Sequence, residues 1–392
     1  MIVSGSGSGD KALLFIRHIM TPENLPKTPI ALVYWGRLGA GAALMQQISA
    51  AFVQDERFEV YASPSRQSEV EVATPGLRVI PIETFSGPVS LAVGTALLPF
   101  TARRLVRRFS AAGVKAIVTI MPHIWGWALQ RAAARAGIRT LLMVHDADPH
   151  PGETRPLFDR LVAREIRGST RIVTLSDHVA DQLVRRGDAP EKRLARLYHP
   201  IFDFAADTAF AAHPAKPFRL LFFGRILPYK GVPMLLEAFA RLRAAGVDCT
   251  LRVVGRGAID APAHLLNQPG LSIETGWVAP DAIGGILADA DAIALPYLEA
   301  SQSGVVAAAY GAGLPVIATP IGGLPEQVID GQTGILAAAA TADAMADAIR
   351  RLIETPGLYD VCRDGIAAYA AMYTAAHFAR RLGDVVVETI AD

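Results

Sequence analysis

A chain of 392 residues with 51% hydrophobic and 19% charged content is too long for one ordinary core and too apolar for disorder. It suits two α/β domains. The formal net charge of +1 leaves a non-specific nucleic-acid binder without its electrostatic footprint.

Two cysteines, Cys249 and Cys362, match no metal or redox spacing and read as buried thiols of a cytoplasmic protein. No stretch is expected to supply the roughly 18–20 apolar residues that span a bilayer. Residues 1–27, opening MIVSGSGSGDK, are expected to form a poorly ordered extension. Their apolar piece, 12–16, is shorter than a signal core and no A-x-A site follows.

In chain order, a buried-type strand over 30–35 runs into Gly36-Arg37-Leu38-Gly39-Ala40-Gly41 and a helical pattern over 42–52. A glycine turn at the carboxyl end of a strand is where doubly wound sheets hold ligands. It also permits close helix–strand packing, and spacing alone does not choose between the two. Further strands are expected over 58–61, 77–80, 116–120 and 139–144, separated by helical patterns, which argues for a parallel sheet. Between them, FTARRLVRRF (100–109) sets Ala102, Leu105, Val106 and Phe109 on one helical face and Arg103, Arg104, Arg107 and Arg108 on the other. The apolar stretch 89–99 lies just upstream. The plainer reading is a crossover helix with its arginines in water; the sharper one is peripheral docking on anionic lipid. The strand ending at 144 delivers His145 and Asp146, and a loop follows with His150 and Glu153. A strand over 172–176 and a helix over 177–186 come next, and Tyr198-His199-Pro200 leads into 201–217, rich in Ala, Asp and Pro and without periodicity. That segment reads as a linker.

The second half opens with a strand over 219–223, the turn GRILPYKG (224–231) and a helix over 232–244. A strand over 250–254 ends in Gly255-Arg256-Gly257, and one over 271–275 in Gly276-Trp277-Val278. The apolar run 292–295 stops at Pro296. Ser301 and Ser303 then stand before a helical segment over 304–310, and serine oxygens satisfy first-turn amides. Gly311 and Gly313 stop that helix, Pro315 follows, 316–319 is a β-branched strand, and Gly322-Gly323 opens a second small-residue turn. Free amides at such turns can hold an anion. An amphipathic segment over 341–354 and a terminal helix from about 375 complete the pattern.

QSGVVAAAYGAGLPVIATPIGGLPE, with GRILPYKG upstream, resembles the donor-binding core of the family 4 retaining glycosyltransferases. The resemblance implies the GT-B fold: two Rossmann-like doubly wound parallel-sheet domains facing across a cleft. It divides the chain into an acceptor-side domain over 28–200, the linker, a nucleotide-sugar domain over 218–374, and a terminal helix over 375–392 that crosses back. It implies a hexosyltransferase moving sugar from a UDP- or GDP-sugar to an acceptor hydroxyl. The setting expected is cell-surface polysaccharide or glycolipid synthesis, in the cytoplasm or on the inner face of the membrane. No metal and no cofactor beyond the donor are expected.

Carried over residue by residue, Arg225 and Lys230 should neutralise the leaving diphosphate, and His145 should touch the donor sugar unless it is a structural histidine. A helix terminus alone supplies about 0.3–1 kcal/mol toward an anion, rising to ~2 when partly buried, so fixed cations are needed as well. Donor contacts are expected from Gly39, Gly41, Gly224, Gly255, Trp277, Val278, Glu299, Ser301, Gln302, Ser303, Gly304 and Val305. Asp146, His150 and Glu153 are acceptor-side candidates. One departure stands out. The family commonly carries two glutamates eight positions apart, and here those places hold Ala300 and Ala308, with Glu299 one residue off. Ser301, Gln302, Ser303 and nearby Glu326 are the polar groups available instead. Asp289-Ala290-Asp291 spells the D-x-D of metal-dependent glycosyltransferases of the other common fold, but at a helix-to-strand junction it reads as turn chemistry. Two rivals share the architecture: a nucleotide-sugar 2-epimerase, for which no carboxylate pair stands out, and a non-catalytic nucleotide-sugar-binding subunit.

Overall fold

Burial on both faces makes the first strand: Ile30, Ala31, Leu32 and Val33 are all at most 1% exposed. A run with no polar alternation has to be covered from above and below, which suits an inner strand of a parallel sheet. The structure, a computed structural model, describes residues 26–37, 39–69, 71–148, 156–204, 214 and 216–392.

The described residues form two sheets. The first has seven parallel strands: β1 (Thr28–Tyr34), β2 (Phe58–Pro64), β3 (Arg78–Val79), β4 (Ala116–Thr119), β5 (Arg139–Val144), β6 (Arg171–Thr174) and β7 (Leu194–Arg196). Their order is 3-2-1-4-5-6-7. The second sheet has six: β8 (Phe218–Phe223), β9 (Cys249–Gly255), β10 (Leu271–Thr275), β11 (Ala292–Leu295), β12 (Val316–Ala318) and β13 (Gly334–Leu336). Its order, 10-9-8-11-12-13, repeats the same winding. Each sheet therefore reverses direction once, between β1 and β4 and between β8 and β11. The crevice beyond the carboxyl ends at such a reversal is where open α/β sheets bind ligands. The two domains are thus Rossmann-like.

Among the described residues, β7 and β13 are additions to the strands read from the sequence. Each is three residues long, too short to show a period. The helix Leu358–Met372 was also not foreseen; it enters directly after Thr355 and Gly357, close behind the preceding helix.

The helix Ala375–Ala391 is capped by Thr374, whose side chain accepts from the His377 N–H at 3.1 Å. It buries Phe378, Ala379, Leu382 and Val386 and packs on the first-domain helix Ala40–Val53. Gly383 allows the close approach, because a side chain there would meet Arg57 and Phe58. Arg57 also bonds Asp384 at 2.6 Å and the Arg380 carbonyl at 3.1 Å. Both ends of that ion pair are well exposed, so most of the docking energy comes from the apolar stripe.

One sequence expectation fails in the first domain. Residues 88–111 form a single 24-residue helix, Pro88–Ala111, with Pro99 inside it. By length and composition alone this helix is long and apolar enough to cross a membrane. The apolar run 89–99 and the apolar face of 100–109 are continuous, which separate readings of the two pieces missed. Its inner face, Leu98, Ala102, Leu105, Val106 and Phe109, lies in a hydrophobic core with β1 and β4 residues, so the helix is a packed part of the domain. Much of residues 1–27 and of the 201–217 linker lies outside the described residues.

Candidate functional site

The carboxyl end of β8 turns sharply at Gly224, and Gly255 at the end of β9 lies so close that a side chain there would collide with the Gly224 carbonyl. Gly224 and Gly255 have φ of 128° and 154°, a region that favours glycine. They sit here as turn-forming backbone. Arg225 follows, exposed, and its guanidinium donates to the Tyr229 hydroxyl at 3.2 Å. Pro228–Lys230 makes one 3-10 turn that swings Lys230 back toward β11. The ammonium lies 3.6 Å from the centre of the Tyr297 ring and 4.9 Å from that of Tyr229. A cation over a ring face is held at a cost of little solvation, worth about 0.5–2 kcal/mol. Arg225 and Lys230 are thus brought to one side of the β8/β11 reversal.

The helix Gly304–Gly311 begins on the same edge, and Ser303 caps it by accepting the Val305 N–H at 3.2 Å. The Ser303 N–H is itself committed. It donates to the Gln327 side chain at 2.7 Å, and the Gln327 amide returns a bond to the Ser303 carbonyl at 3.2 Å. Ser303 therefore shapes the turn from which the helix Gly304–Gly311 starts. Gln327, buried at 5% exposure, had no signal in the sequence beyond its place after Glu326.

The first domain meets this turn directly. A side chain at Gly304 would lie 3.6 Å from Ala40 Cβ, 3.4 Å from the Phe202 ring and 3.8 Å from His199 Nε2. The turn bearing Gly39 and Gly41 thus stands across the cleft from it. The Gly39 N–H is bonded to Glu69 at 2.6 Å, and Gly41 packs against the Tyr34 ring. His145, at the end of β5 and 5% exposed, places one ring nitrogen 3.0 Å from the Ile120 carbonyl. Its other nitrogen lies 3.4 Å from the Gln302 amide of the second domain. Burial pushes His145 below the usual imidazole range, with Asp146 and the Ile120 carbonyl pulling the other way. His199 is pushed down to about 4, first by burial and then by His145, whose ring centre is 6.3 Å away. Both imidazoles are neutral near pH 7. His199 went unnoticed as a cleft residue because a histidine before proline at a domain end suggests only a turn.

A clasp closes the cleft beside these groups. Both oxygens of Glu326 accept N–H groups at the start of the helix Asp177–Arg185, Asp177 at 2.6 Å and His178 at 2.7 Å. The Ser176 hydroxyl donates to the Ser301 carbonyl at 3.0 Å. This corrects the sequence expectation for Glu326: its carboxylate is spent on a helix terminus of the other domain and does not replace either of the family's glutamates. Ala300 and Ala308 are both 3% exposed, so the positions of the family's two glutamates are packed into the fold. Glu299 is half-buried beside them.

Trp277 and Val278 follow the edge strand β10, next to Gly255, through the bond from the Gly276 N–H to the Gly255 carbonyl at 3.0 Å. Trp277 is half-exposed. Asp146 is exposed next to His145, while His150 and Glu153 lie outside the described residues. Asp291 sits at the opposite, amino end of β11, 1% exposed, and holds Arg219 through two oxygens at 2.8 and 3.2 Å. Asp289 faces Arg252 at 3.4 Å. That D-x-D is an ion-paired junction away from the ligand edge. Among the described residues no cluster of three or more His, Cys, Asp or Glu side chains could hold a metal ion.

Residues 217–355 match the family model for glycosyl transferases group 1, and residues 39–198 match that for the glycosyl transferase 4-like domain. The chain is 29% identical over 253 residues to a D-inositol 3-phosphate glycosyltransferase of Rhodococcus jostii, covering 59% of this chain and 55% of that protein. It is 25% identical over 268 residues to an alpha-D-kanosaminyltransferase of Streptomyces kanamyceticus, covering 62% and 67%. The sequence match thus spans little more than half the length of the Rhodococcus relative. Among solved structures, sucrose-phosphate synthase of Thermosynechococcus elongatus superposes with a TM-score of 0.70 at 18% identity, over 93% of this chain and all of that one. HepE of Anabaena, in complex with UDP and glucose, gives 0.67 at 15% identity, over 92% and 100%. The arrangement of two facing parallel-sheet domains is the GT-B fold.

Proposed function

This chain belongs to the glycosyl transferases group 1 family, and on that premise we propose that it moves a sugar from a nucleotide diphosphate sugar to an acceptor hydroxyl with retention of configuration. The observation that carries the proposal is the convergence of Arg225 and Lys230 on the β8/β11 reversal, beside the first turn of the helix Gly304–Gly311. A sugar diphosphate leaves as an anion. Two cations and a helix terminus aimed at one place stabilise charge that develops only as the glycosidic bond breaks. The leaving phosphate oxygen takes the proton of the acceptor hydroxyl as that oxygen bonds to the anomeric carbon on the same face. Atoms and charge balance without a protein nucleophile. Neutral His145 and the Gln302 amide lie where they can orient the sugar, and the Glu326 clasp keeps water out while it is held.

The transfer we propose is hexosyl and independent of divalent metal, with Arg225 and Lys230 taking the part of a metal toward the diphosphate. The name of the Rhodococcus relative supports a polyhydroxylated acceptor. A donor screen by thermal shift, followed by turnover with and without EDTA, tests the proposal. Binding raises stability by RT ln(1 + [L]/Kd), so a UDP- or GDP-sugar at 100 times its Kd adds about 2.7 kcal/mol. Nucleotide diphosphate release that survives EDTA is the expected result. Epimer formation, or stabilisation without turnover over a full acceptor panel, would assign the cleft to a different chemistry.

A further inference from the structure

The helix Pro88–Ala111 has a second face that the fold leaves uncovered. At 100° per residue, Val89, Val93, Leu97 and Phe100 fall on one side, opposite the buried Leu98, Ala102, Leu105, Val106 and Phe109. They are 79%, 55%, 54% and 69% exposed. Arg103, Arg104, Arg107 and Arg108 continue the same outer side over the last turns, and all four are exposed. The outer face is therefore apolar along its first three turns and cationic along its last two. Charge on the surrounding sequence has one sign: residues 84–145 contain eight lysines and arginines and no aspartate or glutamate, in a chain whose formal net charge is +1. The neighbouring helix Gly126–Arg135 packs alongside and exposes Arg131 and Arg135.

We infer that this face docks the protein on an anionic lipid surface, the Val89–Phe100 half entering the headgroup–acyl boundary and the arginine half lying at the level of the lipid phosphates. An acidic protein would satisfy the arginines but leave the valines and Phe100 in contact with charge. A neutral apolar partner would leave four guanidinium groups unpaired. Only an interface with hydrocarbon below and negative charge above matches both halves. The helix lies on the bilayer and does not cross it, because its inner face is committed to the core. There Gly94 lets Trp125 pack against the backbone, and the Trp125 indole donates to the Thr95 hydroxyl at 3.0 Å. Trp125 also meets Phe85 and His123, the latter three residues past the Ile120 carbonyl that His145 holds. The inserting half is thus the half nearest the cleft. Docking is read from the helix alone and stands whether or not the cleft transfers a sugar.

Co-sedimentation of the full chain with vesicles of phosphatidylcholine and phosphatidylglycerol, against phosphatidylcholine alone, tests this at low and high salt. Binding to the anionic vesicles only, weakening with salt, is expected. Replacing Arg103, Arg104, Arg107 and Arg108 together by glutamine should lower partitioning by roughly 100-fold or more. These side chains are solvent-exposed, so circular dichroism should show the variant folded. Cys249 and Cys362 are buried, so a Leu97→Cys protein takes a polarity-sensitive dye at one place, and its emission should shift to the blue on anionic vesicles. Failure to sediment at low salt, equal binding by the arginine variant, or an unshifted dye on bound protein would each overturn the inference. So would lipid-free dimerisation that is abolished by Val93→Ser with Leu97→Ser, since a second copy would then be the occupant.

Discussion

Lys230 is held in place before any ligand arrives, its ammonium over Tyr297 and its backbone fixed by a 3-10 turn that ends on Gly231 with φ of 66°. That preorganisation is what a diphosphate clamp needs, because little side-chain freedom is left to lose on binding. GRILPYKG and the serine-capped turn were readable from sequence because each packs chemistry and conformation into adjacent residues. Gln327 and His199 were not, since what places them is a bond to Ser303 and a cleft wall contributed by distant segments. The same holds for Glu165. It is 2% exposed, accepts the His123 N–H at 3.2 Å and packs against Gly126 at the start of a helix. Burial pushes its carboxyl up from 4.5 to about 8, the His123 bond pulling the other way. Between those two values the unfolded chain has lost the proton and the folded chain keeps it, so this residue makes the fold less stable as pH rises. Glu165→Gln keeps the acceptor and removes the titration. Its unfolding free energy should exceed that of the native protein by a margin that grows from pH 5 to pH 8, by up to ~1.4 kcal/mol per pH unit, with a melting temperature that rises accordingly. A margin that does not change with pH would place a charged carboxylate at this position.

Helices that serve two masters are where local pattern and tertiary role part company. The helix Asp177–Arg185 has its own serine cap, Ser176, yet its first two N–H groups go to Glu326 of the other domain. From the sequence Ser176 reads only as the end of a strand, so both the cap and the clasp come from the fold. Hydrogen bonds to a charged group are worth roughly 1.5–3 kcal/mol each, and both are lost when the domains part. Glu326→Ala should therefore favour the open cleft. Hydrogen exchange at the Asp177 and His178 amides should quicken by at least tenfold, and the KM for the donor should rise more than kcat falls. Native-like exchange at both amides would mean that the clasp is not made in solution. The helix Pro88–Ala111 shows the converse case. Its inner stripe and its arginine face were legible from spacing, while the fold shows that 89–99 belongs to the same helix and that Val89, Val93, Leu97 and Phe100 continue the arginine side uncovered.

The twofold winding was the most legible feature of the whole molecule. Largely apolar strands, several of them closed by a glycine turn and separated by helical patterns, leave few choices beyond parallel sheets with helices on both faces. Short edge strands and the helix Leu358–Met372 escaped because three-residue strands have no period and closely spaced helices blur into one. What the fold achieves is a meeting of two sheet reversals. Gly39–Gly41 and His145 come from one, and Arg225, Lys230 and Gly304 from the other, with the last helix tying the domains together. Loss of one cation should leave a desolvated phosphate charge unpaired, at a cost of roughly 2–5 kcal/mol. The most direct test is the rate of nucleotide diphosphate release from the best donor and acceptor, compared among native protein, Arg225→Ala and Lys230→Ala. A fall in kcat/KM of about 30-fold to several thousand-fold in each variant, with melting temperatures unchanged, is predicted. Near-native kcat/KM in both variants would contradict the assignment of these two cations to the departing diphosphate.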